Sequence, residues 1–128
     1  MQTHGAGLTT PSGDLIPLSW AVEADGLVFF SGQVAVNEGR IPDGIEAQTD
    51  LIFDLLEAKL AELGLSLDHV AKATVWLTEP THFGRFNAVY TARMGKPYPA
   101  RSCVVSAMVL PGALVEIEIV ASRSRRSA

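Results

Sequence analysis

The chain has 128 residues, 48% hydrophobic and 19% charged, a composition that builds a globular core and excludes a disordered chain. Ten lysines and arginines against 14 aspartates and glutamates give a formal charge of −4, which excludes the electrostatic footprint of a nucleic-acid binder. No apolar run approaches the roughly 20 residues needed to cross a bilayer, and the lone Cys103 excludes an internal disulfide.

One domain over 1–128 is expected, with a cytoplasmic address, since the first residues lack a basic start followed by an apolar stretch. Residues 1–15 are rich in Gly, Pro, Thr and Ser and read as an irregular lead-in. Leu18 to Glu23 and Leu27 to Val36 are β-prone runs joined at Ala24-Asp25-Gly26, a hairpin signal. A helix follows: Asp43 and Glu46 have capping-box spacing, and Gly64 stands where a left-handed C-cap belongs. Between them Leu51, Ile52, Leu55, Leu56, Leu60 and Leu63 make an apolar stripe.

Val70 to Thr78 alternates, with Ala71, Ala73, Val75 and Leu77 on one face and Lys72, Thr74 and Trp76 on the other. Pro80 ends that strand. Thr81 can cap a second helix carrying Phe83, Phe86, Val89, Tyr90 and Met94. The last quarter reads as a strand pair, Arg101 to Leu110 and Ala113 to Ser122, folded back at Pro111-Gly112. Residues 123–128, with Arg123, Arg125 and Arg126 among serines, read as a solvated tail. The predicted fold is α+β, a mixed sheet with two helices on one face. Its other face, carrying Trp76, Phe29 or Phe30, and some of Val104, Val105 and Met108, is bare and predicts self-association.

Two polar features interrupt apolar strands. Arg101 opens the first strand of the last pair, and Glu116 and Glu118 punctuate the second so that both carboxylates share a face. Pairing of those strands brings Arg101 beside one Glu. Two readings then stand. In one, the guanidinium takes a substrate carboxylate through its planar fork while a carboxylate manages water and protons. In the other, Arg101 and a Glu form a structural ion pair. Cys103 reads as a core thiol with no base beside it, and Asn87 as a site ligand or a helix–loop contact. Ser31-Gly32-Gln33 reads as a strand end with a bulge. His4, His69 and His82 have no metal-ligand spacing, and neither metal nor cofactor is expected.

Four segments in order resemble the RidA (YjgF) family of small imine deaminases. They are Leu27-Val28-Phe29-Phe30-Ser31-Gly32-Gln33, Phe83-Gly84-Arg85-Phe86-Asn87-Ala88-Val89-Tyr90, Pro99-Ala100-Arg101-Ser102-Cys103, and Leu110-Pro111 with Val115-Glu116-Ile117-Glu118. The resemblance implies a chorismate-mutase-like homotrimer with clefts between subunits. It also implies cofactor-free hydrolysis of enamine or imine acids such as 2-aminoacrylate or 2-iminobutanoate to 2-oxo acids and ammonia. By matching position it implies that Arg101 binds the substrate carboxylate and that Glu116 holds the hydrolytic water. Cys103 contributes through its backbone, and Asn87 and Ser31 by positioning. Leu18 stands where members acting on 2-aminoacrylate usually carry a Tyr, which motivates a relative acting on a different carboxylated imine. A non-catalytic trimer that binds a 2-oxo acid is the alternative from another class.

Overall fold

The structure, a computed structural model, describes residues 1–10 and 12–127. Seven strands and two helices follow in chain order: β1 (Gln2–Thr9), β2 (Leu15–Ala24), β3 (Leu27–Phe30), β4 (Gln33–Val34), α1 (Ile45–Glu62), β5 (Val70–Leu77), α2 (Phe83–Met94), β6 (Ala100–Val105) and β7 (Val115–Ser122). They form a mixed sheet of order β1-β2-β3-β7-β5-β6, with the short β4 also on β7. Only β5 and β6 run parallel. Both helices cover one face, so the predicted α+β class holds.

The first hairpin forms as its sequence signals. Asp25 and Gly26 both take positive φ, 53° and 79°, the backbone of a two-residue turn matched to strand twist. In α1 the buried set is Ile45, Gln48, Thr49, Ile52, Phe53, Leu56 and Leu60. The stripe is therefore rotated from the predicted one: Phe53 is fully buried, while Leu51, Leu55 and Leu63 lie at its margin. Phe53 wins because α2 sets its edge against Tyr90, with ring centroids 5.8 Å apart.

Several expectations are corrected. The lead-in is a strand, β1, paired antiparallel with β2 from Gln2↔Glu23 onward. Its glycines are there for close approach, since a Cβ at Gly5 would overlap the Trp20 indole. The capping box of Asp43 and Glu46 does not form; the N-cap is Gly44, and no side chain caps it. Thr81 does not cap α2 either, because Pro80–His82 makes a turn of 3-10 helix that feeds directly into it. Ala71 is exposed instead of Val70, because a bulge between Val70 and Lys72 shifts the register. The expected tail, whose last residue lies outside the described residues, is anchored at Arg123 and Arg126. Arg123 forks onto Glu23 at 2.6 and 2.8 Å, and Arg126 donates into the body of the chain.

The largest correction concerns the last strand pair. β6 and β7 do not pair with each other, because β5 lies between them, parallel to β6 and antiparallel to β7. The segment at Pro111-Gly112 is thus a crossing over one strand rather than a hairpin.

Gln48 is the main polar device holding that segment. It is 2% exposed, and its amide donates to the Pro42 and Gly112 carbonyls at 3.0 Å each. Its oxygen accepts from the Leu114 amide at 2.8 Å. Gln48→Ala leaves three part-buried backbone groups without their side-chain partner and should cost about 2 kcal/mol, read as a lowered urea midpoint with an unchanged m-value.

Candidate active site

Arg101 stands near the start of β6, opposite Ala73 of β5. Ala73 is fully buried beneath the helices, so the Arg101 side chain emerges on the helix-covered face. Because β6 is an edge strand, α2 closes over only part of it. The guanidinium is half-buried and lies 4.7 Å from the Tyr90 ring centroid, with Phe86 and Phe83 at 5.8 and 5.7 Å. Nη1 donates to Asn87 Oδ1 at 2.8 Å. Among the described residues no carboxylate pairs with Arg101, so the structural ion pair with Glu116 or Glu118 does not form within the chain. The aromatic bed and one amide oxygen orient the fork without neutralising it.

Beside it opens a cleft of about 320 Å³ lined by Asn87, Tyr90, Thr91, Tyr98, Pro99 and Arg101. Tyr98 is 45% exposed at its mouth. Periodicity in α2 supplies this wall: Asn87 and Tyr90 follow Phe86 at helical steps, so a helix face chosen for core packing also presents an amide and a phenol. Cys103 lies two residues further along β6, on the same face and partly buried. Burial raises its thiol pKa, only partly offset by the nearby Arg101 charge, which keeps it protonated at neutral pH.

Glu116 occupies the other side of the sheet. It pairs with Trp76 of β5, an odd number of residues from Ala73, while its neighbours Val115 and Ile117 are fully buried under the helices. Two interstrand spacings, roughly 10 Å, separate β6 from β7. Arg101 and Glu116 therefore sit on opposite faces of one protomer, which corrects the expectation that strand pairing brings them together. A crossing strand was invisible in a pattern that looked like a hairpin.

Burial raises the Glu116 pKa above the ordinary carboxyl range, and the neighbouring Glu118 adds to the shift. Ser31-Gly32, the break between β3 and β4, passes directly over the carboxylate: a Cβ at Gly32 would overlap Glu116 Oε2. Ser31 donates to the Ser19 carbonyl at 2.6 Å, which fixes this break. Beside Glu116 the bare face carries the half-buried Trp76 and, next to it, Val104, 45% exposed; Phe29, also 45% exposed, lies further along the same face opposite Val120. Phe30, the other candidate for that face, is buried with the core. No group of three or more His, Cys, Asp or Glu among the described residues is placed to hold a metal ion.

The sequence reading missed Tyr90 and Tyr98 as cleft residues. Tyr90 was assigned to the core by its spacing, and it is indeed 4% exposed; only its stacking on Arg101 reveals the second role.

Comparison with known proteins gives a family match, endoribonuclease L-PSP, over residues 13–123. The chain is similar to mmf2, a mitochondrial protein of Schizosaccharomyces pombe, at 36% identity over 110 residues, covering 83% of this chain and 87% of the relative. The fold is similar to the crystal structure of RidA from an Antarctic Psychrobacter species, with TM-score 0.79, 32% identity and 94% and 96% of the two chains covered. It is equally similar to Escherichia coli TdcF with bound serine, with TM-score 0.79, 30% identity and 97% of each chain covered.

Proposed function

The chain belongs to the endoribonuclease L-PSP family, which includes the RidA (YjgF) proteins, and from that footing we propose that it hydrolyses small enamine or imine acids to 2-oxo acids and ammonia. The observation that carries this reading is the Arg101 guanidinium, oriented but not neutralised, on the wall of a cleft of ligand size. Bound serine in TdcF, an amino acid with a free carboxylate, supports a carboxylate as the group it takes. The net charge of −4 gives no support to an RNA substrate.

The reaction asks little of the protein. An imine carbon is already electrophilic, so catalysis reduces to holding the substrate, placing water and moving protons. Arg101 grips the carboxylate through two parallel N–H donors while Asn87 holds the guanidinium plane. Glu116 takes a proton from water as the oxygen adds to the C=N carbon. It returns that proton to the imine nitrogen to give the carbinolamine; on collapse Glu116 relays the hydroxyl proton to the same nitrogen, the C–N bond breaks, ammonia leaves and a carbonyl remains. Cys103 contributes its backbone and Ser31 steadies the segment over Glu116. No metal or cofactor enters this scheme.

Since the two groups occupy opposite faces of one chain, the reading includes a homotrimer, one domain per subunit, in which Glu116 of one copy meets Arg101 of the next. The exposed Val104 beside Trp76, with Phe29 further along the same face, supports such an assembly, because a bare apolar face is stabilised by burial against another copy. The setting proposed is the cytoplasm. Leu18, half-buried on β2 in place of a phenol, favours a carboxylated imine larger than 2-aminoacrylate.

Coupling the protein to a dehydratase that releases 2-aminoacrylate, or to an amino-acid oxidase for larger imines, and timing 2-oxo acid formation tests the activity. Acceleration of no imine over the buffer rate would overturn it.

The pH dependence follows from Glu116. Within one chain burial, and then Glu118, raises its pKa so that the base form appears later, while Arg101 of the next copy facing it in the assembly favours the ionised form; the acid limb of kcat/KM reports Glu116 under both influences. Glu118→Gln removes the repulsive neighbour and should move that limb to lower pH. Within one chain the raised pKa also governs stability: the contribution is largest below the ordinary carboxyl pKa and falls as pH rises through the raised one.

A further inference from the structure

One wall of the cleft is built from a loop whose residues make no backbone hydrogen bond to another loop or turn among the described residues. Residues 95–99 leave the end of α2 and lead into β6, delivering Tyr98 and Pro99 to the cleft just before Arg101. β6 has a strand neighbour on one side only, so its first residues depend on that loop being held.

Arg126, four residues beyond β7, does the holding. Its Nε donates to the Pro97 carbonyl at 2.6 Å, and Nη2 reaches the Gly95 carbonyl at 3.5 Å. Its Nη1 donates to the Leu67 and Val70 carbonyls at 2.6 and 2.8 Å, where β5 begins. The tail is itself anchored, with the Arg126 amide on the Asp68 carbonyl at 2.8 Å and Arg123 on Glu23 and the Leu63 carbonyl. One guanidinium thus ties the loop entering β6 to the start of the strand on which β6 is registered. Charge-assisted bonds to carbonyls are among the stronger polar contacts, and a planar fork distributes them in directions an ammonium cannot.

We propose that Arg126 is a positioning residue for the Arg101 cleft: the C-terminal segment sets the cleft's width by fixing Tyr98 and Pro99, and with it the size of 2-oxo or imino acid accepted. The substrate half of this proposal rests on the function proposed above; the tether does not. The tether predicts that the cleft loosens when the fork is lost, even with the fold intact.

The test compares Arg126→Ala and Arg126→Lys with Arg93→Ala in the full-length protein. Arg93 is a suitable control, because it also carries several bonds, to Asp50, Asp54 and Glu57 of α1, but turns away from the loop. Amide hydrogen exchange is read in peptides covering 95–102, and affinity is read by calorimetry with 2-oxobutanoate and the bulkier 4-methyl-2-oxopentanoate. Both Arg126 variants should raise exchange in that segment, the lysine included, since one ammonium cannot reach carbonyls on both sides. Binding of 2-oxobutanoate should weaken on the order of tenfold, and the preference between the two acids should narrow. Arg93→Ala should lower the melting temperature and change neither reading. Unchanged exchange in both Arg126 variants would overturn the tether. Raised exchange with unchanged affinities would overturn its link to the cleft. A wild-type protein that binds neither acid, with exchange still raised in the variants, would refute the substrate assignment and uphold the tether.

Discussion

Arg101→Ala should reduce kcat/KM for 2-iminobutanoate by at least about 100-fold, equivalent to about 3 kcal/mol, the usual scale for removing one partner of a half-buried charged hydrogen-bond pair. The stability change of each subunit should be small, because among the described residues Arg101 pairs with no carboxylate of its own chain and its side chain hydrogen-bonds to Asn87 Oδ1. Loss of activity with little change in melting temperature is therefore the expected signature. Arg101→Lys keeps the charge but gives up both the planar fork and the stacking on Tyr90, 4.7 Å below it. It should recover only a small part of the loss, and do so through KM, because a single ammonium attracts the carboxylate without fixing its plane. Equal activity in wild type and Arg101→Ala would remove the guanidinium from the reaction altogether.

Much of this molecule was legible in its sequence, and the failures have common causes. Local signals carried well: the Asp25-Gly26 turn, the helix over the leucine stripe, the breaking of β3 at Ser31-Gly32 and the start of a strand at Arg101 all depend on a few neighbouring residues. What failed was non-local. A strand pair folded at Pro111-Gly112 and a crossing over β5 have the same local pattern, and only the pairing of β7 with both β3 and β5 separates them. Because side chains alternate with period two, that one change in pairing sends Arg101 and Glu116 to opposite faces.

The other misses came from reading composition as conformation. Glycines at 5 and 7 looked like loop punctuation, yet they let β1 run against Trp20. Serines and arginines at the C-terminus looked solvated, yet carbonyls at 67, 70, 95 and 97 gather to give one guanidinium its partners. An arginine's partners are set by where unpaired carbonyls gather in three dimensions, a property no window of sequence contains.

The opposed faces lead to the second large effect. Glu116→Gln removes the proton carrier and should lower kcat by about 100- to 10,000-fold, leaving 2-oxo acid binding at Arg101 nearly intact. On the proposed mechanism each variant alone should be nearly inactive, Arg101→Ala for want of the carboxylate grip and Glu116→Gln for want of the base. If each site takes its arginine from one subunit and its glutamate from another, a mixed assembly restores some sites. A site works when the subunit giving the arginine is the Glu116→Gln copy and the subunit giving the glutamate is the Arg101→Ala copy. With random equal mixing each condition holds half the time, so about a quarter of sites recover, whatever the number of subunits in the ring. Co-expression of the two variants with different tags, followed by sequential affinity steps, isolates the mixed species. Because those steps remove the parental rings, and every mixed ring of three has one such junction among its three sites, activity near a third of wild type, against residual rates for each parent, is the expected result. Mixed assemblies no more active than either parent would mean that both groups serve the same chain's site, and the opposite-face geometry of Arg101 and Glu116 would then have no part in the chemistry.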